Sequence, residues 1–143
     1  SATGKTYVYR IQNSKIPNVF ERQYMYQLTE PLDIEAMKEA AKYLVGEHDF
    51  KSFCSNKQMK KGTVRKITDI SIEKKGQEIS ISFTGNGFLY NMVRILTGTL
   101  IEVGQKKRTP ESMTEIIEAK SRYEAGPKVP PMGLILKQVY YEN

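Results

Sequence analysis

The sequence predicts an α+β fold: a mostly antiparallel sheet with helices packed on one face. The first observation is a strand pattern in residues 5–12, where Tyr7, Tyr9 and Ile11 alternate with Val8 and Arg10. The second is a hairpin pattern in the middle of the chain, and the third is a pair of apolar helical patterns that follow it. The order is strand, helix, hairpin, helix, helix, strand, and consecutive hairpin strands with long helices are typical of this fold class.

The first helix is predicted to begin after Asp33, whose side chain can cap the free amides of the first turn. Gly46 is expected to end it. Residues between these two points place apolar side chains at helical spacing. These are Ile34, Met37, Ala40, Ala41 and Leu44.

The hairpin is predicted to pair residues 63–74 with residues 78–84 through a turn at Lys75 and Gly76. A long helix should then run from Phe88 to Val103 and end at Gly104. Thr109 and Pro110 are typical of the start of another helix. Residues 126–133 contain three prolines and are expected to form a loop before a last strand at residues 134–141.

Composition fits one soluble domain, and its positive charge indicates either a polyanion as a candidate partner or only surplus surface lysines. The chain has 143 residues and a formal net charge of +6, and a basic domain suits nucleic acid. It lacks a long apolar stretch and a signal-peptide pattern, so we expect a cytoplasmic protein. The lone cysteine, Cys54, suits a reducing compartment, and one Cys with one His makes a zinc site improbable.

The densest basic cluster is predicted to contact phosphates. A phosphate backbone requires flexible positive donors. The cluster consists of Lys57, Lys60, Lys61, Arg65 and Lys66. The alternative interpretation is a solvated charged loop without a ligand.

Arg94 is the unusual residue of the long helix, which is otherwise apolar around it. Tyr90 lies four positions earlier and is expected on the same helical face. A buried arginine requires a partner, and the three aspartates (Asp33, Asp49 and Asp69) each have a local role available. Arg94 therefore either binds an anion from elsewhere or extends its guanidinium to solvent at the helix edge.

The paired tyrosines of the first strand also leave two interpretations open. Tyr7 and Tyr9 can pack in the core with their hydroxyls bonded nearby, or one of them can stack on a flipped base. His48 follows a helix and is expected to be structural. The segment Gly85-Asn86-Gly87 precedes a predicted helix, but it lacks the glycine spacing of a nucleotide-binding loop.

Five segments in the same order resemble the TruA-type tRNA pseudouridine synthases, and together they cover nearly the whole chain. The matching segments are residues 1–11, residues 46–53, residues 63–65, residues 85–104 and residues 130–134. Each match is modest alone, but their shared order is specific. The resemblance implies a pseudouridine-synthase-like half with no metal and no organic cofactor.

The resemblance also implies a reaction and roles for individual residues. The uridine N-glycosidic bond would break, and the base would rotate and rejoin through carbon, at positions thirty-eight to forty of the tRNA anticodon arm. Tyr7 matches the tyrosine that stacks on the target base, and Arg94 matches the arginine that pairs with the catalytic aspartate. Substrate-binding roles are expected for residues of the matching segments and of the basic cluster. These are Phe88, Tyr90, Asn91, Leu134, Lys57, Lys60, Lys61 and Arg65.

The chain departs from the family in one important respect. The nucleophilic aspartate belongs to an R-T-D-x-G motif upstream of the tyrosine strand, and no aspartate here follows Arg-Thr. We therefore expect residues 1–143 to form a single domain, the C-terminal half of a homodimeric enzyme, inactive without its N-terminal half. The alternatives are a non-catalytic RNA-binding or assembly module of the same fold, and a small basic dimerisation domain.

Overall fold

The computed structural model describes residues 2–20, 23–55 and 62–142. Within these residues, six strands form one sheet and three α-helices accompany it, which confirms the predicted α+β fold. In chain order the elements are β1 (Ala2–Asn13), β2 (Tyr26–Leu28), α1 (Ile34–Leu44), β3 (Gly46–Asp49), β4 (Val64–Lys75), β5 (Glu78–Gly85), α2 (Met92–Gly104), α3 (Ser112–Ala119) and β6 (Leu134–Tyr141). No helix in these ranges is long and apolar enough to cross a bilayer.

Strand β1 organises the sheet because it has hydrogen-bonded neighbours along both edges. The strand order is β2-β1-β5-β4-β3, and β6 also pairs with β1. On one edge, residues 5–12 of β1 pair with β5. On the other, residues 2–9 pair with β6 and residues 11–13 pair with β2. Only the β1–β2 pair is parallel among the described strands, so the sheet is mostly antiparallel as predicted.

The core lies between one face of the sheet and the helices. Register places Tyr9 beside Ile81, whereas Arg10 lies beside Ser80 on the opposite face. The alternation of the sequence thus separates an apolar face from a polar one. Fully buried side chains from the sheet and helices meet here. They include Tyr9, Ile11, Ile79, Ile81, Phe83, Met37, Leu44, Ile95, Leu96 and Leu100.

Helix α1 begins as the sequence predicts but ends differently. Asp33 is its N-cap, and its carboxylate accepts a hydrogen bond from the Ala36 amide at 3.0 Å. The helix ends at Leu44, and Val45 is already extended. Gly46 adopts a φ of 117° and begins β3, which pairs with the first residues of β4. The glycine therefore allows a turn from helix into strand, where the sequence predicted only a helix end.

Helix α2 begins four residues later than predicted, at Met92 rather than Phe88. Asn91 has a φ of 59° and a ψ of 13°, which is the left-handed conformation. Helical geometry cannot continue through such a residue. Residues 88–91 therefore form a turn that leads into the helix.

The loop predicted at residues 126–133 runs along α2, and we call it the α2-bound segment. The Gly126 amide donates to Thr99 Oγ1 at 2.9 Å, and the Val129 amide donates to the Arg94 carbonyl at 3.4 Å. Between these two bonds, a Cβ added at Gly98 would overlap the carbonyl oxygen of Pro127. Glycine at position 98 is thus required for the close approach.

We predict that Gly98→Ala destabilises the fold by about 1–3 kcal/mol, the usual range for overpacking a close contact. The added methyl group would force the α2-bound segment away from the helix. Denaturant titration followed by circular dichroism measures the change. Gly62→Ala is the control, since a Cβ there would meet nothing within 4 Å. Equal stability of the two variants would contradict the prediction.

An ion pair on the polar face of the sheet makes folding stability depend on pH. The Arg10 guanidinium donates to both carboxylate oxygens of Glu78, at 3.1 and 3.2 Å. Hydrogen bonds from Arg10 hold the pKa of Glu78 below its ordinary value of 4.5, although partial burial opposes them. A carboxyl group whose folded pKa is depressed stabilises the fold above its unfolded pKa. That stability is lost as the pH falls through the folded pKa.

We predict that Glu78→Gln lowers the free energy of unfolding at pH 7 by no more than about 1 kcal/mol, because the pair is partly solvated. The difference from the parent should shrink as the pH falls below 4.5 and the parent carboxylate becomes protonated. Urea titrations at several pH values from neutral to acid measure it. A difference that stays constant over this range would show that Glu78 does not act through its charge.

Candidate active site

A cavity of about 130 Å³ opens where β1, α2, the turn before α2 and the start of β6 meet. Five residues that the sequence nominated line it together. They are Tyr7, Phe88, Asn91, Arg94 and Leu134. The remaining wall residues are Leu89, Met92 and Val93. Apolar walls with a few convergent polar groups are typical of a ligand site.

Several depressions among the described residues are larger, and two of them, of about 480 and 580 Å³, lie along α1. Their helical wall carries mainly Lys and Glu side chains, such as Lys38, Lys42 and Glu39. None of the residues predicted to act on a substrate lines them. The smaller cavity is therefore the better candidate, because it contains the residues predicted to act on a substrate, although it is not the largest depression.

The two tyrosines of β1 have different environments. Tyr7 is half-buried, and its ring packs edge-on against Phe88 with ring centroids 5.2 Å apart. Within the described ranges, no residue hydrogen-bonds its hydroxyl. Tyr9 is fully buried, and its hydroxyl donates to the Pro130 carbonyl at 2.6 Å. Tyr9 thus follows the core interpretation, and Tyr7 presents its ring to the cavity.

Burial also affects the acidity of Tyr9. Desolvation raises the pKa of the Tyr9 phenol well above its ordinary value of 10, although Arg94 nearby acts in the opposite direction. The phenol remains protonated and serves as a permanent hydrogen-bond donor. This fits a structural role for Tyr9 and leaves Tyr7 as the tyrosine available to a ligand.

Arg94 is held by two neutral acceptors. Its Nε donates to the Val129 carbonyl at 2.8 Å, and its Nη1 donates to Asn91 Oδ1 at 3.1 Å. Among the described residues, no carboxylate lies within 4.0 Å of its guanidinium. A guanidinium stays charged in proteins and has five N–H donors, so the cavity wall carries a positive charge with donors to spare.

Asn91 connects Arg94 to Ser55, which follows the 3-10 turn at Lys51–Phe53. Its Nδ2 donates to Ser55 Oγ at 2.9 Å. The Ser55 amide in turn donates to the Tyr90 carbonyl at 3.3 Å. These two bonds attach Ser55 to the turn that precedes α2.

The other nominated residues lie around or beyond the cavity. Tyr90 is 65% exposed and does not line it, so the expectation that Tyr90 shares a helical face with Arg94 is wrong. The reason is that α2 begins only after Asn91. Arg65 donates to the Gly62 and Val64 carbonyls and passes beside Gly87. The other predicted phosphate contacts, Lys57, Lys60 and Lys61, lie outside the described residues.

Two polar contributors to the site were missed by sequence reasoning, besides the apolar wall residues Leu89, Met92 and Val93. Val129 acts through its backbone carbonyl, which no side-chain pattern reveals. Ser55 acts through a hydroxyl in a polar stretch without periodicity. His48 bonds the Val45 carbonyl and packs edge-on against Phe50, away from the cavity. In the part of the chain that the structure describes, no cluster of His, Cys, Asp and Glu could hold a metal ion.

The class of protein follows from comparison with known families. The family model for tRNA pseudouridine synthase matches residues 40–142, which include α2, the α2-bound segment and β6. The chain belongs to the tRNA pseudouridine synthase family.

Individual relatives narrow the class further. A protein of Clostridium perfringens named tRNA pseudouridine synthase A 2 is 50% identical over 139 residues, which is 97% of this chain and 57% of the relative. The tRNA pseudouridine synthase A of Brevibacillus brevis is 49% identical over 96% of this chain and 56% of the relative. The tRNA pseudouridine synthase A 1 of Bacillus cereus is 49% identical over 97% and 56%. The chain is similar to TruA-type enzymes and spans little more than half their length.

We predict that Tyr7→Phe changes the free energy of unfolding by less than about 0.5 kcal/mol, as for a surface substitution. Its hydroxyl has no partner in the described part of the chain, and Phe retains the ring contact with Phe88. Tyr9→Phe is the matched comparison. It should cost about 1–3 kcal/mol, because the part-buried Pro130 carbonyl loses its donor, the hydroxyl of fully buried Tyr9. Urea titration measures both, and a larger loss for Tyr7→Phe would assign Tyr7 to the core.

Proposed function

We propose that this chain is the C-terminal half of a tRNA pseudouridine synthase that converts uridine to pseudouridine in the anticodon arm. One observation carries the proposal: the cavity unites the Tyr7 ring with the Arg94 guanidinium, which has no carboxylate partner among the described residues. The family's reaction requires an aromatic platform for the base and an ionised carboxylate beside an arginine.

The reaction is an isomerisation, so no atom enters or leaves overall. The bond between the uracil nitrogen and the ribose breaks, the base turns, and a bond from a ring carbon to the ribose replaces it. At the end a proton must leave that carbon, and the ring nitrogen released from the ribose gains one, so the two steps balance. Tyr7 lines the cavity with a hydroxyl free for this step, and we propose it both as the stacking ring and as a candidate for the proton abstraction.

The nucleophilic carboxylate would come from outside this chain. None of the three aspartates lines the cavity. Asp33 caps α1, and Asp49 accepts from Thr63 and from the Lys51 amide. Asp69 lies beside α1. The relatives are almost twice as long as the matched part, so they contain chain from which a carboxylate could reach Arg94.

Arg94 would keep that carboxylate ionised. A nearby cation favours the charged form of an acid, and the half-buried position of Arg94 reduces solvent screening. Because its two acceptors in this chain, Val129 and Asn91, are neutral, its charge remains available. Leu134 and Phe88 would contact the base with apolar surface.

Phosphate contacts would come from the basic cluster and position the RNA without reading its sequence. Arg65 lies beside the turn that forms the cavity wall, and Lys57, Lys60 and Lys61 occur in the same cluster of the sequence. Exposed Tyr90 offers a face on which a neighbouring base can stack. We propose a homodimer acting in the cytoplasm, where two copies contact one tRNA.

The test measures pseudouridine formation on anticodon-arm RNA. We expect no turnover from this chain alone. A hybrid, in which this chain replaces the aligned part of the Clostridium perfringens relative, should be active. Turnover by the isolated chain would refute the requirement for an outside carboxylate. An inactive hybrid that still binds the RNA in a salt-sensitive way would favour the non-catalytic RNA-binding module.

We predict that Arg94→Leu in the hybrid lowers turnover by about a hundredfold or more, as for loss of one electrostatic partner in an active site. Binding of anticodon-arm RNA should change far less. Arg10→Leu is the control, since Arg10 lies on the opposite face of the sheet and pairs with Glu78. Turnover of Arg94→Leu at the level of the control would eliminate the proposed role.

A further inference from the structure

Asn91 occupies an unusual backbone conformation at the edge of the cavity. Its φ of 59° places it in the left-handed region, which most L-residues avoid and which asparagine tolerates best after glycine. It is also the N-cap of α2, yet its side chain makes no capping hydrogen bond. An asparagine at this position ordinarily accepts from an amide of the first turn. The side chain of Asn91 therefore forms hydrogen bonds other than the usual capping bond.

The carboxamide of Asn91 bridges two groups on either side of it. Its Oδ1 accepts from Arg94 Nη1 at 3.1 Å, and its Nδ2 donates to Ser55 Oγ at 2.9 Å. Asn91 thus combines two features: its left-handed backbone precedes the first turn of α2, and its side chain bonds Arg94. Backbone strain kept at a site by specific contacts is a reason to look for a functional constraint.

The chemistry of the bridge suits a neutral acceptor. Asparagine gives Arg94 a hydrogen bond without cancelling its charge. A carboxylate in the same place would be isosteric and would also tolerate the left-handed conformation, but it would neutralise Arg94 and compete with any incoming carboxylate. Asparagine also supplies the N–H that the Ser55 hydroxyl accepts.

We propose that Asn91 is a positioning residue for the proposed isomerase: it fixes the Arg94 guanidinium, ties it to Ser55, and stays uncharged so that Arg94 can pair with the nucleophilic carboxylate. This inference rests on the proposed function for its catalytic consequence. Its geometric part, the coupling of Ser55, Asn91 and Arg94, stands independently of the reaction.

A purely structural role for Asn91 makes a different prediction. Negative charge near a helix N-terminus and beside an arginine stabilises a fold. If Asn91 served folding alone, Asn91→Asp would be neutral or stabilising and would leave turnover unchanged. If Asn91 keeps Arg94 available, the same variant keeps its stability and loses activity. Stability and turnover therefore separate the two roles.

The experiment compares variants of the hybrid on anticodon-arm RNA. We expect Asn91→Asp to retain the melting temperature and to lower kcat by about ten- to hundredfold, with a much smaller change in KM. Asn91→Gly accepts the left-handed backbone without strain but loses both bridging bonds, so its kcat should fall less. Ser55→Ala removes only the bond from Asn91 Nδ2, so its kcat should fall least of the three.

Lys106→Gly is the matched control. Lys106 also has a positive φ, 64°, and it follows the other end of α2. The variant thus adds the same backbone freedom away from the cavity, and its kcat should equal that of the parent hybrid. If Asn91→Asp keeps the parent kcat while the parent is active, the proposal is overturned.

A second measurement separates this proposal from the proposed function. In the isolated chain, nitrogen–proton NMR follows the Arg94 Nε–H and the Ser55 backbone amide. Asn91→Gly should shift both signals, and Lys106→Gly should shift neither. If the hybrid is inactive, the proposed function fails, but the NMR shifts still test whether Ser55, Asn91 and Arg94 are coupled. An unmoved Arg94 signal in Asn91→Gly would overturn the inference whatever the hybrid does.

Discussion

The candidate site depends on the close approach between α2 and the α2-bound segment, which the absence of a side chain at Gly98 permits. Because the Pro127 carbonyl lies against the helix, two further carbonyls of this segment come within reach of the cavity. Val129 accepts from Arg94, and Pro130 accepts from Tyr9. The segment then leads directly into Leu134. The α2-bound segment thus joins α2 to β1, and β1 pairs directly with β6.

Much of the fold could be predicted because long elements carry periodic patterns. The bounds of β6 agree with the prediction, and the β4–β5 hairpin is found with its turn at Gly76. Strand β3 was not predicted as a strand, since four residues are too few to display a period. The pairing of β3 with β4 is a tertiary contact, and it is what turns the residues after Gly46 into a strand.

The sequence identified most of the site's residues, but it could not predict how they are arranged in space. Spacing placed Tyr90 beside Arg94 on one helical face, yet the left-handed Asn91 interrupts the helix between them. That conformation reflects contacts with Ser55 and Arg94, which a local pattern cannot show. Similarly, Tyr7 and Tyr9 are equivalent in an alternating strand, and only tertiary contacts distinguish them: Tyr9 is buried and bonds the Pro130 carbonyl, whereas Tyr7 packs against Phe88 at the cavity. The resemblance to a family selected Tyr7, where periodicity gave no reason to prefer it.

The double pairing of β1 has a consequence for the entropy of ligand binding. Tyr7 belongs to a stretch of β1 that is hydrogen-bonded to β5 on one edge and to β6 on the other, so its backbone has little freedom to lose. Its ring has only two rotatable bonds, and the edge-on contact with Phe88 already restricts them. A planar ligand that stacks on Tyr7 would restrict the protein very little further. The entropy cost of binding would therefore be small, and most of the contact energy would contribute to affinity. The position of the Tyr7 ring is thus preorganised by the sheet itself.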